Sequence, residues 1–278
     1  MEEKFKFSVS MCVYCKDDPE WFRTAVESIM YQTLIPDEVV LVVDGPIGKD
    51  LEEVILEFEK LDIFKVIWLK ENKGHGNARR TGLENCSNEL VALMDADDIS
   101  LPDRFEKQIK VFKEEPELSI VGGNISEFAE EPENILGFRT VPQKHEEITE
   151  YLKKRCPMNQ VTVMFKKTDV QKAGGYIDWF CNEDYYLWNR MFLAGMKFTN
   201  VPEVLVNVRV GKEMYQRRGG KRYFESEYKL QKFMLKNKII GFGDFCSNVA
   251  KRFVVQVLLP NKIRGWVFKK FARSEKVD

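Results

Sequence analysis

Four short apolar segments in the first hundred residues constrain the fold of this chain more than any other feature. These segments are residues 7–14, 38–43, 64–69 and 90–94. Because they are nearly continuous hydrophobic runs, they are typical of strands that are buried on both faces. Helices are predicted between and after them, near residues 20–32, 49–61, 77–86 and 102–115. This alternation predicts an α/β fold with a parallel sheet covered on both faces.

Three carboxylates follow the fourth apolar segment directly. Asp95 and Asp97 are two positions apart, so both side chains can point at one ion. Hard divalent cations prefer such oxygen ligands, commonly one or two carboxylates together with substrate phosphates. The alternative is a solvated turn that begins the next helix. Asp98 is expected to cap the helix that begins near Pro102.

Polar residues also stand at the ends of two other predicted strands. Tyr14 ends the first strand, Asp44 the second and Asp95 the fourth. In open parallel sheets, ligands bind in the crevice beyond the carboxyl ends of the strands. We therefore expect these three residues to share one ligand-binding crevice.

Beyond residue 120 the pattern is less regular. Strands are predicted at residues 120–127, 162–165 and 204–210. Helices are predicted at residues 146–155, 182–193 and 223–237, and a loop rich in glycine and arginine at 211–221. We predict one domain up to about residue 222 and a helical extension over 223–278.

Charge and composition exclude several classes of protein. The formal net charge of −1 gives no overall attraction to nucleic acid, so no such partner is expected. No apolar run reaches the roughly 18 residues of a membrane-spanning helix. The first six residues lack the apolar core of a signal peptide, so a cytoplasmic protein is expected. The six cysteines contain one close pair, Cys12 and Cys15, and are expected to be free thiols.

Six ordered motifs carry a resemblance to a known family. They are residues 8–14, 42–46, 72–79, 94–105, 182–188 and 217–220. Together they make the chain resemble a family 2 glycosyltransferase of the GT-A fold, especially the bacterial capsule, exopolysaccharide and O-antigen transferases. Two departures occur. Cys15 stands where the family usually has a small polar residue, and Met158-Asn159-Gln160 lies where related transferases often carry a histidine.

The resemblance implies a fold and a reaction. The fold is a Rossmann-like mixed sheet with a helical C-terminal extension, whose nucleotide-sugar half spans about residues 1–127 and whose acceptor half spans about 128–222. The reaction is an inverting, metal-dependent transfer of a hexose from a UDP-sugar to a glycan or lipid-linked oligosaccharide acceptor in surface polysaccharide biosynthesis. The implied cofactor is Mn²⁺ or Mg²⁺.

The resemblance also assigns the donor site. Asp44 would accept a hydrogen bond from the uracil N–H, and Tyr14 would pack on the base. Lys73 and Arg79 would supply positive charge to the diphosphate beside two glycines that permit close approach. Asp95 and Asp97 would hold the metal against the same diphosphate. The alternatives for these residues are an ordinary turn, a strand-end aromatic and a solvated basic helix face.

Asp184 is the predicted catalytic base. Inverting transfer needs a carboxylate on the acceptor side to take the hydroxyl proton. Glu183 would instead orient the acceptor, and the alternative for both is a pair of acids favoured by a helix N-terminus. The two histidines, His75 and His145, are expected to be structural or exposed.

Other functional classes are less consistent with the sequence. A sugar nucleotidyltransferase would need a glycine-rich basic loop after the first strand, where residues 15–19 are Cys-Lys-Asp-Asp-Pro. A phosphatase with Asp95 as nucleophile would need a lysine and a serine or threonine that are not evident. A non-catalytic module that binds sugar nucleotides would have no use for a base at Asp184.

The C-terminal tail suggests a membrane surface as a further partner. Residues 242–271 mix apolar side chains with lysine and arginine, and Pro260 divides them into two predicted helices, the second at 262–271. Such helices can lie among anionic headgroups, which would place the protein on the inner face of the membrane. The alternative is a helical pair packed on the domain.

Overall fold

The computed structural model describes residues 5–211, 219–260, 263–264 and 273–274. Within these residues, nine strands form one mixed sheet in the order β3-β2-β1-β4-β8-β6-β9-β5, with β7 paired to β6. The strands are β1 (Phe7–Val13), β2 (Glu38–Val43), β3 (Phe64–Trp68), β4 (Leu90–Met94), β5 (Ile99–Ser100), β6 (Leu118–Phe128), β7 (Ile135–Arg139), β8 (Met164–Lys166) and β9 (Lys197–Arg209).

Helices connect and cover these strands. They are α1 (Pro19–Met30), α2 (Lys49–Phe58), α3 (His75–Asn85), α4 (Arg104–Glu114), α5 (His145–Leu152), α6 (Lys167–Lys172), α7 (Glu183–Leu193), α8 (Lys221–Lys236) and α9 (Phe242–Phe253). A 3₁₀ turn covers Gln160–Thr162 and a π-helical segment covers Val254–Leu258. Local signals explain where α1 begins, since Asp18 accepts hydrogen bonds from two amides of the first turn and Pro19 is the first helical residue.

The first four predicted strands are confirmed, and their registers align their carboxyl ends. β1 is parallel to both β2 and β4, with Val13 opposite Val43 and Met11 opposite Met94. Tyr14, Asp44 and Asp95 therefore follow their strands at the same edge of the sheet, as expected.

The sheet changes direction beside β4. β8 runs antiparallel to both β4 and β6, whereas β6 and β9 are parallel to each other. The parallel pairing expected for the first four strands is therefore confirmed, and the mixed sheet implied by the resemblance is found over the second half. The strand predicted at 204–210 is longer, at Lys197–Arg209, and the short elements β5, β7 and α6 were not predicted.

Two hydrophobic cores cover the two faces of the sheet. On one face, α1, α2 and α4 bury residues such as Phe22, Ile55 and Phe105. On the other face, a second core takes in α3, α5, α7 and α8, with Trp188 and Leu230 fully buried. Neighbouring strand residues alternate between the two cores, which is why the strands read as continuous apolar runs.

The helical extension packs against the second core. On α9, Asn248 Nδ2 donates to the carbonyl oxygen of Lys153 at 2.9 Å, and the guanidinium of Arg252 donates to the carbonyl oxygen of Lys154 at 3.0 Å, both just after α5. The first tail helix is therefore docked on the domain. The predicted second helix, 262–271, lies outside the described residues apart from 263–264, as does Arg217-Arg218 of the predicted loop. In the described part of the chain, no helix is both long and apolar enough to cross a bilayer.

Candidate active site

Asp44 organises the loop that leads into α3. It is buried, and its two carboxylate oxygens accept hydrogen bonds from the amides of Lys73, at 2.8 Å, and Gly74, at 3.1 Å. Gly45 follows with a positive φ of 88°, and a Cβ there would lie 2.5 Å from the amide nitrogen of Asn72. Each carboxylate oxygen can accept a further hydrogen bond, so Asp44 is still able to accept the predicted one from a uracil N–H. Lys73 is exposed beside it.

A third carboxylate joins the predicted pair at the strand ends. Asp17 accepts a hydrogen bond from the Tyr14 amide at 2.9 Å, which fixes the turn after β1. Burial, and then the charges of Asp97 and Asp95, raise the pKa of the Asp17 carboxyl to about 7, while the bond from Tyr14 opposes the rise. The sequence marked Asp17 only as part of a helix start. Its position at the end of β1 is the signal that could have identified it.

Asp98 has a different role from the one predicted. Its buried carboxylate accepts a hydrogen bond from the Arg209 amide at 2.8 Å, and α4 begins after Asp103 instead. Burial, together with the charges of Asp97 and Asp95, holds the pKa of Asp98 well above its usual range. The prediction that Asp98 caps the next helix is therefore wrong, because a strand far along the chain supplies its donor.

The acidic residues at this edge fit a hard divalent cation. Asp95 and Asp97 are half-buried beside Asp17, so like charges crowd one region and a cation would relieve their repulsion. Within the described residues, no group of three or more His, Cys, Asp or Glu side chains has metal-site geometry. The described part of the chain thus supplies carboxylate oxygens without a complete set of metal ligands, which suits an ion that also binds substrate phosphates.

Arg79 lies beneath the strand ends. Its side chain is only 1% exposed, and the guanidinium forms an ion pair with Asp95. It also donates to the carbonyl oxygens of Ser10, at 3.2 Å, and Met94, at 3.4 Å. In the structure Arg79 thus binds acceptors of the chain itself and joins the middle of β1 to the end of β4. Its predicted contact with a diphosphate stays a prediction.

Glu183 and Asp184 begin α7 on the other side of the crevice. Glu183 is buried and lies 2.9 Å from Nδ1 of His75, in the first turn of α3. Asp184 Oδ2 lies 3.8 Å from the thiol of Cys156, which is a weak donor. Burial raises the pKa of that thiol, so it stays protonated beside the carboxylate. The helix N-terminus favours both negative charges.

A chain of polar contacts joins the two sides. Asp95 pairs with Arg79, Arg79 donates to His75 Nε2 at 3.2 Å, and His75 reaches Glu183. The structure thus brings the predicted metal carboxylate and the predicted acceptor side into one network. His75 was expected only to be structural or exposed, although its place between two glycines at the start of a helix was a usable signal for a role in this network.

The chain is similar to known proteins along almost its whole length. The family model described as "Glycosyl transferase family 2" matches residues 8–170. The chain is 35% identical to the UDP-Gal:alpha-D-GlcNAc-diphosphoundecaprenol beta-1,3-galactosyltransferase of Escherichia coli, over 96% of this chain and 97% of that protein. It is 38% identical to the amylovoran biosynthesis glycosyltransferase AmsE of Erwinia amylovora, over 95% of this chain and 98% of that protein.

A solved structure has the same fold at low sequence identity. The mannosyltransferase PcManGT from Pyrobaculum calidifontis, in complex with GDP-Man and Mn²⁺, matches with a TM-score of 0.64 and 14% identity. The match covers 95% of this chain and 72% of that chain. This likeness supports the fold class and carries no assignment of residues.

Proposed function

The chain belongs to glycosyl transferase family 2, and from that premise we propose that it transfers a hexose from a UDP-sugar to a glycan or lipid-linked oligosaccharide acceptor in surface polysaccharide biosynthesis. The family makes it a glycosyltransferase, and the expected GT-A fold with its helical extension is confirmed. The observation that carries the proposal is the network in which Arg79 and His75 join Asp95 to Glu183, the neighbour of Asp184.

The donor side suits a uridine nucleotide. Asp44 keeps acceptor capacity for a base N–H, and Tyr14 follows the adjacent strand at the same edge of the sheet. Lys73 is exposed beside them for a diphosphate. The Escherichia coli relative is named for UDP-Gal, so UDP-galactose is the first donor to test.

The metal would be held by Asp95 and Asp97. The crowded carboxylates favour this assignment, and the matched mannosyltransferase structure contains Mn²⁺. When bound, Mn²⁺ or Mg²⁺ would neutralise charge on the departing nucleoside diphosphate. Arg79, beneath Asp95, pairs with that carboxylate and would help to orient it toward the ion.

Asp184 would act as the base for inverting transfer. A carboxylate on the acceptor side can take the hydroxyl proton as the diphosphate leaves from the opposite face. The protonated Cys156 thiol beside it donates weakly and leaves the carboxylate able to accept a proton.

A donor screen tests the proposal directly. Wild-type protein is expected to release UDP from UDP-galactose or another UDP-hexose when Mn²⁺ or Mg²⁺ and a lipid-linked oligosaccharide are supplied. Thermal stabilisation by UDP with metal provides a second readout that needs no acceptor. If no nucleoside diphosphate stabilises the protein and no nucleotide sugar is consumed, the proposed function is wrong.

A basic aromatic surface on α8 and α9 is the proposed membrane contact. Four ring pairs form a row with centroid separations of 5.4–6.4 Å: Phe253–Phe224, Phe224–Tyr228, Tyr228–Phe245 and Phe245–Phe242. Residues 219–260 carry eight lysines and arginines against three acids, although the whole chain has a net charge of −1. Aromatic rings among exposed lysines suit the headgroup region of an anionic bilayer, which would place the protein on the inner face of the cytoplasmic membrane.

Charge reversal tests this surface better than truncation, because removal of α9 would leave the buried Glu227 without its partner Arg252. Wild-type protein is expected to co-sediment with anionic vesicles at low salt. Reversal of Lys229, Lys232 and Lys236 to glutamate should release it, since each lysine near the surface contributes about 1 kcal/mol.

The matched control reverses three lysines of α4, Lys107, Lys110 and Lys113, because α4 covers the opposite face of the sheet. That variant should sediment like the wild type. Equal sedimentation of both variants, or wild-type protein that stays in the supernatant, would contradict a membrane contact on α8 and α9.

A further inference from the structure

The ring of His75 lies between α3 and α7 and contacts a different side chain with each nitrogen. Nδ1 is 2.9 Å from Glu183 Oε1, and Nε2 is 3.2 Å from Nε of Arg79. The His75 side chain is 48% exposed, whereas the Glu183 side chain is only 10% exposed. His75 therefore lies at the surface of the crevice and reaches inward to a buried carboxylate.

The two contacts determine which tautomer the ring adopts. A guanidinium N–H can only donate, so Nε2 of His75 must be the acceptor of the bond from Arg79. The ring proton of the neutral imidazole then resides on Nδ1 and is donated to the Glu183 carboxylate. This arrangement satisfies a buried negative charge at the start of α7 with a donor from another helix.

Backbone packing holds the two helices at this distance. A Cβ on Gly76 would lie 3.3 Å from Cα of Asp178 and 3.4 Å from the carbonyl oxygen of Ile177. The first turn of α3 thus approaches the segment just before α7 closely, and the residue after His75 has no side chain. Because this approach is fixed by backbone contact, the His75–Glu183 bond has a defined geometry.

We propose that His75 is a positioning residue of the transfer reaction. As its Nδ1–H tautomer it orients Glu183 beside Asp184. Its second contact, with Arg79, fixes the position of Glu183 relative to Asp95. This inference rests on the proposed function. Glu183, held by one oxygen, retains acceptor capacity for a hydroxyl of the incoming sugar. His75 itself takes no proton from substrate.

Three substitutions separate the two contacts of the ring. His75→Ala removes both and is expected to lower kcat/KM for the acceptor about 10–100-fold, as loss of supporting hydrogen bonds commonly does. His75→Asn places an amide N–H near the Nδ1 position and should recover most of that loss. His75→Gln reaches the Nε2 position instead and should not.

Binding of UDP provides the comparison for these three variants. UDP affinity with metal should change by less than about twofold in all three variants, because the effect falls on acceptor use. Arg80→Ala, an exposed residue on the same helix outside the network, is the matched control and should behave as wild type. Equal losses in the alanine and asparagine variants, or an alanine variant with wild-type acceptor kinetics, would overturn the proposal.

A spectroscopic readout tests the tautomer without any activity. The chain has two histidines, so ¹⁵N-histidine labelling of wild type and of His75→Asn assigns the His75 ring by difference. We expect the Nδ1–H pattern for His75. The Nε2–H pattern would overturn the proposal even if sugar transfer is observed. If the wild-type protein uses no sugar nucleotide, the proposed function is wrong. The tautomer of His75 is measured independently of that result, so the two failures can be told apart.

Discussion

Asp184→Asn is expected to reduce kcat by about 10²–10⁴, the usual scale for removal of a general base. The change keeps the shape of the side chain but removes its ability to take a proton. Because a base acts only in the transition state, UDP-sugar affinity should be unchanged. Single-turnover transfer and equilibrium UDP binding, measured on the same preparation, separate the two effects.

Asp62→Asn is the matched control for this prediction, since Asp62 is an exposed aspartate after α2. It should leave both quantities at the wild-type level. Normal sugar transfer by Asp184→Asn would place the base elsewhere. Loss of UDP-sugar binding in that variant would assign Asp184 to the donor site instead.

Asp97→Asn is expected to abolish metal-supported UDP binding and with it transfer. Removal of a residue that hydrogen-bonds a metal ligand commonly lowers metal affinity about 10–100-fold. Removal of a ligand itself should therefore lower the affinity for the metal by more than about 100-fold. Asp97 is a better test than Asp95, because substitution of Asp95 would also leave the buried Arg79 without its ion-pair partner.

Calorimetric titration of UDP with and without Mn²⁺ measures this effect. Binding without metal should be similar in wild type and Asp97→Asn, and the gain on adding metal should occur in wild type alone. Asp103→Asn, just before α4, is the control, because Asp103 pairs with Lys107 on the surface. An undiminished metal effect in Asp97→Asn would refute a metal site at this residue.

The donor edge of the fold could be predicted from sequence because its signals are local. The buried strands β1, β2 and β4 are continuous apolar runs, and each is followed directly by the residue of interest. Parallel pairing then aligns Tyr14, Asp44 and Asp95 without further information.

The contacts around and across these strand ends could not be predicted in the same way, because they join distant parts of the chain. The partner of Asp98 is Arg209, 111 residues later, and the partner of His75 is Glu183, 108 residues later. The antiparallel direction of β8 has no periodic signature in a strand of three residues. The two-residue strand β5 is too short for any pattern.

The reversed direction of β8 brings a second part of the chain to the edge of the sheet where β4 ends. The proposed donor residues follow the carboxyl ends of β1, β2 and β4, whereas the segment on the other side of β4 is the one that precedes β8, where Val163 accepts a hydrogen bond from the Leu93 amide. Under the proposed function, substitutions in that segment would change the surroundings of Asp95 while the residues that follow β1 and β2 are inherited intact.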